Sequence, residues 1–268
     1  MAIANFVPEL WSSSLLTAFR KDFVFSPLVN RNYEGEVANQ GDTVKIQTPV
    51  TIPVAARSGS ITYTTPTSTT QSLLIDQDYE WAFQVEDLEK VQSNVNLITT
   101  YVEEGSISMA DQIDGDIASL YTAGTAGDVA ITLASGDMYD AVVDAGKNLN
   151  ENNVPTTGRW LVVSPAGYAS LLKNDKFIHA TAQGDSVIRN ASIGMVGGFS
   201  VYMSNNTVLA TTQKYMYGHT SAITWAGQLQ NFEALRDKDN WNDHVRARMV
   251  WGRKVVRPTA LGTISATE

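Results

Sequence analysis

The chain contains no cysteine among its 268 residues. This absence excludes disulfide bonds, thiolate metal sites and a cysteine nucleophile. Histidine is also scarce, with three copies, and none of them lies in an HExxH or HxH arrangement. A zinc site is therefore not expected. Any exceptional stability must come from packing or from assembly with other chains.

Long apolar runs and a surplus of positive charge are missing as well. The N-terminus, MAIANFVPELW, lacks the basic and continuously apolar regions of a secretory signal. The uncharged stretch 190–213 is too polar to span a membrane, so no membrane partner is expected. The net charge is −9, and the basic residues are dispersed except at 246–257. Nucleic-acid binding is not expected as the main task, and this cluster is interpreted as a solvated or acid-paired strand face.

Patterns that carry catalysis are weak or absent. Asp243-His244 could belong to a hydrolase triad, but the chain has no GxSxG nucleophile elbow. The glycine-rich run 194–198 fails the phosphate-loop and dinucleotide patterns, and it predicts a tight turn in which glycine adopts positive φ. Acidic pairs such as Glu103-Glu104 are interpreted as solvated faces. The sequence therefore predicts no enzyme, no catalytic residue, no cofactor and no metal site.

The most regular pattern runs from Glu86 to Tyr121, a stretch without proline. Apolar residues recur there at helical spacing: Leu88, Val91, Val95, Ile98, Val102, Met109, Ile113, Ile117 and Leu120. A helix of this span would be about 50 Å long, which indicates a spine for an extended molecule. Gly105 and Gly115 each cost such a helix about 1 kcal/mol relative to alanine, and they mark it for bending. The alternative is an ordinary core helix that breaks at Gly105.

Residues 1–40 carry many large apolar side chains on a segment with room for one short helix, at about 9–22. Such a segment exposes apolar surface that it cannot cover alone. We interpret it as an arm that wraps a neighbouring subunit, with Trp11, Phe19 and Phe23 as contact residues. The alternative is an arm that packs on its own domain.

From Asp42 the apolar period changes to two, and a Ser-Gly turn at 57–60 separates two Thr-rich arms, which predicts a β-hairpin. Its three prolines restrict the arms to edges or bulges, and a two-stranded ribbon with weak burial is marginal alone. We interpret it as a hairpin extended onto a partner, with Arg57 and Tyr63 as contact residues. The alternative is a surface loop with hairpin character.

Strict alternation from Leu73 to Val85 predicts one half-buried strand that leads into the long helix. Residues 128–212 predict a compact α/β lobe with a helix at 135–150 and a buried strand at 160–163. A second helix of the lobe should begin at Ser164-Pro165, because serine favours the N-cap and proline the first helical position.

The tail, 215–264, is rich in strand patterns. Between Val245 and Trp251, arginines alternate with apolar residues. This alternation predicts one buried face and one face that is solvated or paired with acids, and the long helix is the expected cover for the buried face.

This order of parts resembles the major capsid protein of tailed bacteriophages, which has the Hong Kong 97-like fold. Three runs carry the resemblance: LLIDQDYEWAFQVED at 73–87, IGMVGGFSVYMS at 193–204 and VRARMVWG at 245–252. In that order, they are similar to three parts of phage coat proteins: the passage into the spine helix, the turn and strand of the central lobe, and the closing strands. The resemblance implies an α+β fold with these parts: an N-arm at 1–40, an E-loop hairpin at 41–72, a P-domain strand and spine helix at 73–127, an A-domain at 128–212 and P-domain return strands at 213–268.

The resemblance also implies self-assembly, as hexamers and pentamers, into the icosahedral head that encloses a DNA genome. The expected partners are other copies, a separate scaffolding protein, a portal, and packaged double-stranded DNA contacted weakly because the chain is acidic. The expected location is the virion, with assembly in the host bacterial cytoplasm. Two alternatives stay open: an encapsulin-type nanocompartment shell, and a monomeric α/β ligand-binding or hydrolytic protein.

Lysine placement on the hairpin leads to the first prediction. Between Asp42 and Ser72 the only lysine is Lys45, near the base. The autocatalytic lysine-to-asparagine cross-link of some family members needs a lysine on that loop, so we predict a shell without covalent links. Particles boiled in detergent should run on a gel as one band of 29.2 kDa. A ladder of covalent oligomers would contradict this prediction.

Overall fold

The computed structural model describes residues 24–33, 41, 43–47, 52, 54, 56, 63, 65, 70–86, 97–133, 138–174, 194–207, 212–237 and 241–267. These residues form three sheets and three α-helices. The predicted arm before residue 24 and most of the hairpin between 48 and 69 lie outside them.

A three-stranded antiparallel sheet forms the centre of the described chain. Strand β10 (Asn242–Val255) lies between β3 (Gln77–Glu86) and β9 (Ile223–Arg236). One face, here called the helix face, packs against helix α1 (Leu97–Ala118), and the opposite face is called the hairpin face. Both faces of the sheet carry side chains that make contacts, because successive residues of a strand point to opposite sides.

The predicted alternation along β10 is confirmed. Val245, Ala247 and Trp251 are buried on the helix face. On the hairpin face, Arg246 lies 2.5 Å from Glu233 and Arg248 lies 2.5 Å from Asp78. The arginine side chains are partly solvated, so these pairs contribute modestly to stability.

Helix α1 runs from Leu97 to Ala118 and continues as a short 3-10 helix, Ser119–Ala123. It is about 33 Å long at 1.5 Å per residue, and its predicted first part, 87–96, lies outside the described residues. The alternative of a core helix that breaks at Gly105 is wrong, because the helix continues through Gly105 and Gly115. Gly105 has a packing role instead: a Cβ there would lie 2.8 Å from Cδ2 of Trp81.

The base of the predicted hairpin is a two-stranded antiparallel ladder of β1 (Thr43–Gln47) and β2 (Thr70–Leu74). The single strand predicted from Leu73 to Val85 is wrong, because residues 75–76 separate β2 from β3 and the two strands belong to different sheets. Apolar residues stay at odd-numbered positions on both sides of residues 75–76, so the alternation alone does not reveal that β2 ends there.

The lobe is built on a six-stranded mixed sheet in the order β4-β11-β8-β5-β7-β6. Its strands are β4 (Asp128–Thr132), β5 (Arg159–Val163), β6 (Met195–Val196), β7 (Phe199–Met203), β8 (Gln213–His219) and β11 (Leu261–Thr267). Strands β8 and β11, which the sequence analysis groups with the return strands, therefore pair within the lobe sheet. Helices α2 (Met138–Glu151) and α3 (Pro165–Leu172) cover one face.

Two local predictions in the lobe are confirmed. Ser164 caps α3 by accepting a hydrogen bond at Oγ from the backbone N–H of Gly167. Gly197 and Gly198 have φ of 56° and 86° and form the two-residue turn between β6 and β7. Positive φ at both positions is the geometry that a tight hairpin turn of this length requires.

One apolar core joins the N-terminal segment, the C-terminal half of α1 and both larger sheets. Its buried members include Phe25, Ile117, Trp160, Trp225 and Trp251. Phe25 and Leu28 belong to the predicted arm, so for residues 24–33 packing on the same chain is the correct alternative.

Replacing Gly105 by alanine should lower the free energy of unfolding by about 1–3 kcal/mol, because the new Cβ overlaps the Trp81 ring. Gly115→Ala is the matched control, since nothing lies within 4 Å of a Cβ there. Alanine's helix propensity should make this control more stable by up to about 1 kcal/mol. Urea denaturation followed by circular dichroism measures both. Two stabilised variants would refute the packing role of Gly105.

Candidate assembly surfaces

Asp114, on the C-terminal half of α1, fastens the N-terminal segment to the helix. Its side chain is fully buried. Oδ1 accepts hydrogen bonds from the backbone N–H groups of Phe25 (2.6 Å) and Ser26 (3.1 Å). Oδ2 accepts one from the backbone N–H of Val24 (3.0 Å). The backbone at 24–26 is therefore held at a fixed point on α1.

The same carboxylate also contacts the lobe. Asn206, in the loop after β7, donates from Nδ2 to Oδ2 of Asp114 (3.3 Å) and to Oδ1 of Asp111 (3.0 Å). Burial raises the pKa of Asp114 above its ordinary value, because the charge has lost water. The backbone donors and the Asn206 amide stabilise the charged form and oppose that rise.

Asp116 connects α1 to β10 in a similar way. Its Oδ2 accepts a hydrogen bond from the indole N–H of Trp251 (2.9 Å), and its Oδ1 lies 2.6 Å from the Arg253 guanidinium. Burial raises the pKa of Asp116, while Trp251 and Arg253 act in the opposite direction. Arg253 therefore belongs to the helix face, so the basic cluster seen in the sequence is divided between the two faces of the sheet.

A polar cluster at the edge of the lobe sheet contains serine, lysine and aspartate, which is a combination found in some hydrolases. Ser265 donates its hydroxyl hydrogen bond to Asp128 at 2.6 Å, and Lys214 contacts both Ser265 and Asp128. Because the serine proton is directed at the carboxylate, the lysine is not arranged as its base. The cluster instead joins β4, β8 and β11.

Asp243 and His244 are successive residues of β10 and point to opposite faces, so Asp243 does not orient the histidine. Asp243 accepts a hydrogen bond from Arg236 at 3.0 Å, and His244 Nε2 lies 3.4 Å from Asp237. Within the described residues, no group of three His, Asp or Glu side chains is placed to bind a metal. Among the described helices, none has the length and apolarity needed to cross a membrane.

An aromatic strip crosses the helix face near the N-terminal half of α1. We define it by Tyr101, Phe83, Trp81 and Phe232, whose neighbouring ring centroids are 5.5, 5.8 and 6.2 Å apart in that order. The described residues cover it incompletely, since Phe232 is 54% exposed. Leu229, 57% exposed, extends the strip because a β-bulge places it on the same face as Phe232.

Further large apolar groups are exposed on the hairpin and at the end of the sheet. In the hairpin, Val54 is 99% exposed and Tyr63 is 88% exposed. Trp241, between β9 and β10, is 82% exposed. A single exposed apolar residue is ordinary, but clustered ones mark interaction surfaces.

The predicted contact residues are mostly beyond what the structure describes. Trp11, Phe19, Phe23 and Arg57 lie outside the described residues, and Tyr63 projects into solvent. The sequence analysis did not single out Phe232, Leu229 or Trp241. A signal was present: Leu229 and Phe232 are three residues apart in a strand, and this spacing departs from the period of two and indicates a bulge.

The family model of the phage capsid protein matches residues 79–264, which is more than half of the chain. The chain belongs to the phage capsid protein family. A solved chain from Mycobacterium phage Che8 is 32% identical, with 98% of each chain covered and a TM-score of 0.80. No curated protein matches the chain.

Two more distant structures share the fold. The capsid of cyanophage P-SCSP1u is 15% identical, with 98% of this chain and 94% of that chain covered and a TM-score of 0.78. The capsid of Myoviridae phage XM1 is 18% identical, with 96% of each chain covered and a TM-score of 0.64. The α+β, Hong Kong 97-like fold implied by the resemblance is thereby confirmed.

The family decides between the alternatives left open by the sequence. The chain is a structural major capsid protein of a tailed phage, located in the virion capsid, and copies of it assemble into the shell. It is neither a nanocompartment protein nor a monomeric ligand-binding protein. The exposed apolar surfaces are therefore candidates for contact between copies.

Asp114→Asn should destabilise the capsid protein by about 1–3 kcal/mol although it preserves shape. Both oxygens of Asp114 face donors, so either orientation of an asparagine amide points its NH₂ at other N–H groups. Asp111→Asn is the matched control, because its carbonyl can still accept from Asn206. Urea denaturation measures stability, and limited proteolysis near residue 24 reports release of the segment. Equal effects of the two variants would argue against this role for Asp114.

Proposed function

We propose that copies of this capsid protein form hexamers and pentamers that close into an icosahedral head around the phage's double-stranded DNA. The observation that supports this most is the exposure of Val54, Tyr63 and Phe232, which the described part of the chain does not cover. Burying such groups against a neighbour removes apolar surface from water and favours association.

The proposed contact places the hairpin of one copy on the aromatic strip of the next. Ile52, Val54 and Tyr63 supply apolar side chains on the hairpin. Phe232 and Leu229 supply the receiving surface. Such a contact is heterologous, and a heterologous contact that closes on itself generates rings, as hexamers and pentamers require.

The arm is the second proposed contact, with Trp11, Phe19 and Phe23 packing on a neighbour. Its starting point is fixed by Asp114, so the arm leaves each copy from the same place. Each contact is small, but every copy repeats it around a closed surface, and the total stabilisation grows with the number of copies.

The other partners follow from the function of a phage head. A separate scaffolding protein would guide identical chains into rings of five and six, and a portal would occupy one vertex. A net charge of −9 suits a wall that contains DNA and contacts it weakly. We place assembly in the cytoplasm of the host bacterium and assign the protein no enzymatic activity.

Mixed with the phage's scaffolding protein, the purified chain should form shells that are visible by negative-stain electron microscopy. Tyr63→Ser and Phe232→Ser should each lower the yield of shells per folded chain by about tenfold, because each removes about 1–2 kcal/mol of apolar burial per contact. Circular dichroism of the unassembled chain should stay unchanged for Tyr63→Ser. Val143→Ser, an exposed apolar position on α2, is the control and should assemble normally.

The double variant tests whether the two residues touch across copies. If they do, Tyr63→Ser combined with Phe232→Ser should cost less than the sum of the single effects. Strictly additive losses would place the residues in separate contacts. A wild-type chain that stays monomeric at all concentrations even with the scaffolding protein present would refute the proposed assembly.

A further inference from the structure

The hairpin base packs on the hairpin face of the three-stranded sheet, opposite α1. Its apolar side chains form a separate buried cluster with the sheet: Val44, Ile46, Leu73, Ile75, Ala226 and Val250. The neighbouring residue of β10, Trp251, belongs to the core shared with α1. The sheet therefore has α1 on one side and the hairpin base on the other.

Gly252 allows the hairpin base to approach the sheet closely. A Cβ at this position would overlap the carbonyl oxygen of Leu74 and lie 2.9 Å from its carbonyl carbon. Both of these atoms are backbone, so a side-chain rotation cannot relieve the overlap. Any residue other than glycine must displace β2 from β10.

Two hydrogen bonds hold the base at this distance, and a third joins the segments that enter and leave it. The Lys254 ammonium donates to the carbonyl of Ser72 (2.8 Å), and the Gln71 amide donates to the carbonyl of Val256 (3.2 Å). Where the chain enters the hairpin, the N–H of Gly41 donates to the carbonyl of Ile75 (2.9 Å). Strand β2 is therefore joined to the end of β10 and the residue after it, and the segments that flank the ladder are joined to each other.

We propose that Gly252 is a positioning residue for shell assembly, which acts by setting the direction in which the hairpin leaves the sheet. The ladder of β1 and β2 moves as one body with β9 and β10. This inference rests on the proposed contact between the hairpin and a neighbouring copy. It adds that the direction in which the hairpin leaves the sheet is determined within each chain before assembly.

The absence of cysteine makes the direct test simple. Lys45→Cys on β1 and Lys147→Cys on α2 would be the only cysteines of a doubly substituted chain, and both positions are exposed. Nitroxide labels there report the distance between the hairpin base and the lobe. We expect the same narrow distance distribution in the unassembled chain and in shells diluted with unlabelled chain. A broad distribution, or a shift between the two states, would overturn the one-body proposal.

Gly252→Ala in the labelled chain should shift or broaden that distance and lower shell yield per folded chain by about tenfold, as expected when a repeated contact is misaligned. Gly115→Ala is the control and should change neither quantity. If the Gly252→Ala chain does not fold, Lys254→Met replaces it, since it removes one hydrogen bond without adding volume against β2. It should shift or broaden the distance relative to the chain with an unchanged Lys254.

The outcomes separate the two proposals. An unchanged distance in Gly252→Ala and in Lys254→Met would refute the positioning role, whatever the shell yield. A shifted distance with an unchanged shell yield would refute the claim that the direction of the hairpin matters for assembly. A wild-type chain that forms no shells with the scaffolding protein would refute the proposed assembly, while the distances in the unassembled chain would still decide how the base is held.

Discussion

Two buried carboxylates near the C-terminal end of α1, Asp114 and Asp116, connect parts of the chain that are far apart in sequence. The position is unfavourable for them, because the helix dipole is negative at this end and burial removes water. Each is compensated by donors from other segments: backbone N–H groups at 24–26 and Asn206 for Asp114, and Trp251 with Arg253 for Asp116. The cost of the buried charge thereby enforces one arrangement of arm, lobe and sheet around the helix.

The packing around α1 is uneven along its length. Ile113 and Ile117 are buried in the main core, whereas Tyr101 and the aromatic strip remain partly exposed among the described residues. Trp81 marks the transition, since its ring packs against Gly105 and also contacts Phe232. Core stability and assembly surface are therefore separated: the C-terminal half of α1 holds the chain together, and the N-terminal half carries surface that a neighbouring copy can bury.

Local patterns predicted local structure well in this chain. The alternation at 245–251, the cap at Ser164 and the turn at Gly197-Gly198 were predictable because each depends on neighbouring residues. Contacts distant in sequence were not. The alternation of apolar residues continues across 75–76, where β2 and β3 are separated. Nothing in the sequence distinguishes Asp114 from a solvated helical aspartate. The pairing of β8 and β11 within the lobe depends on the topology of the whole sheet, which the strand patterns do not encode.

Two of the glycines that approach other groups closely, Gly105 and Gly252, make these contacts on opposite sides of the same sheet. Gly105 admits a Trp81 ring from β3 against α1, and Gly252 admits the backbone of Leu74 against β10. Each contact leaves no room for a methyl group, so α1, the sheet and the hairpin base are packed as one block. A methyl group added at either glycine would therefore displace one layer of this block against the sheet.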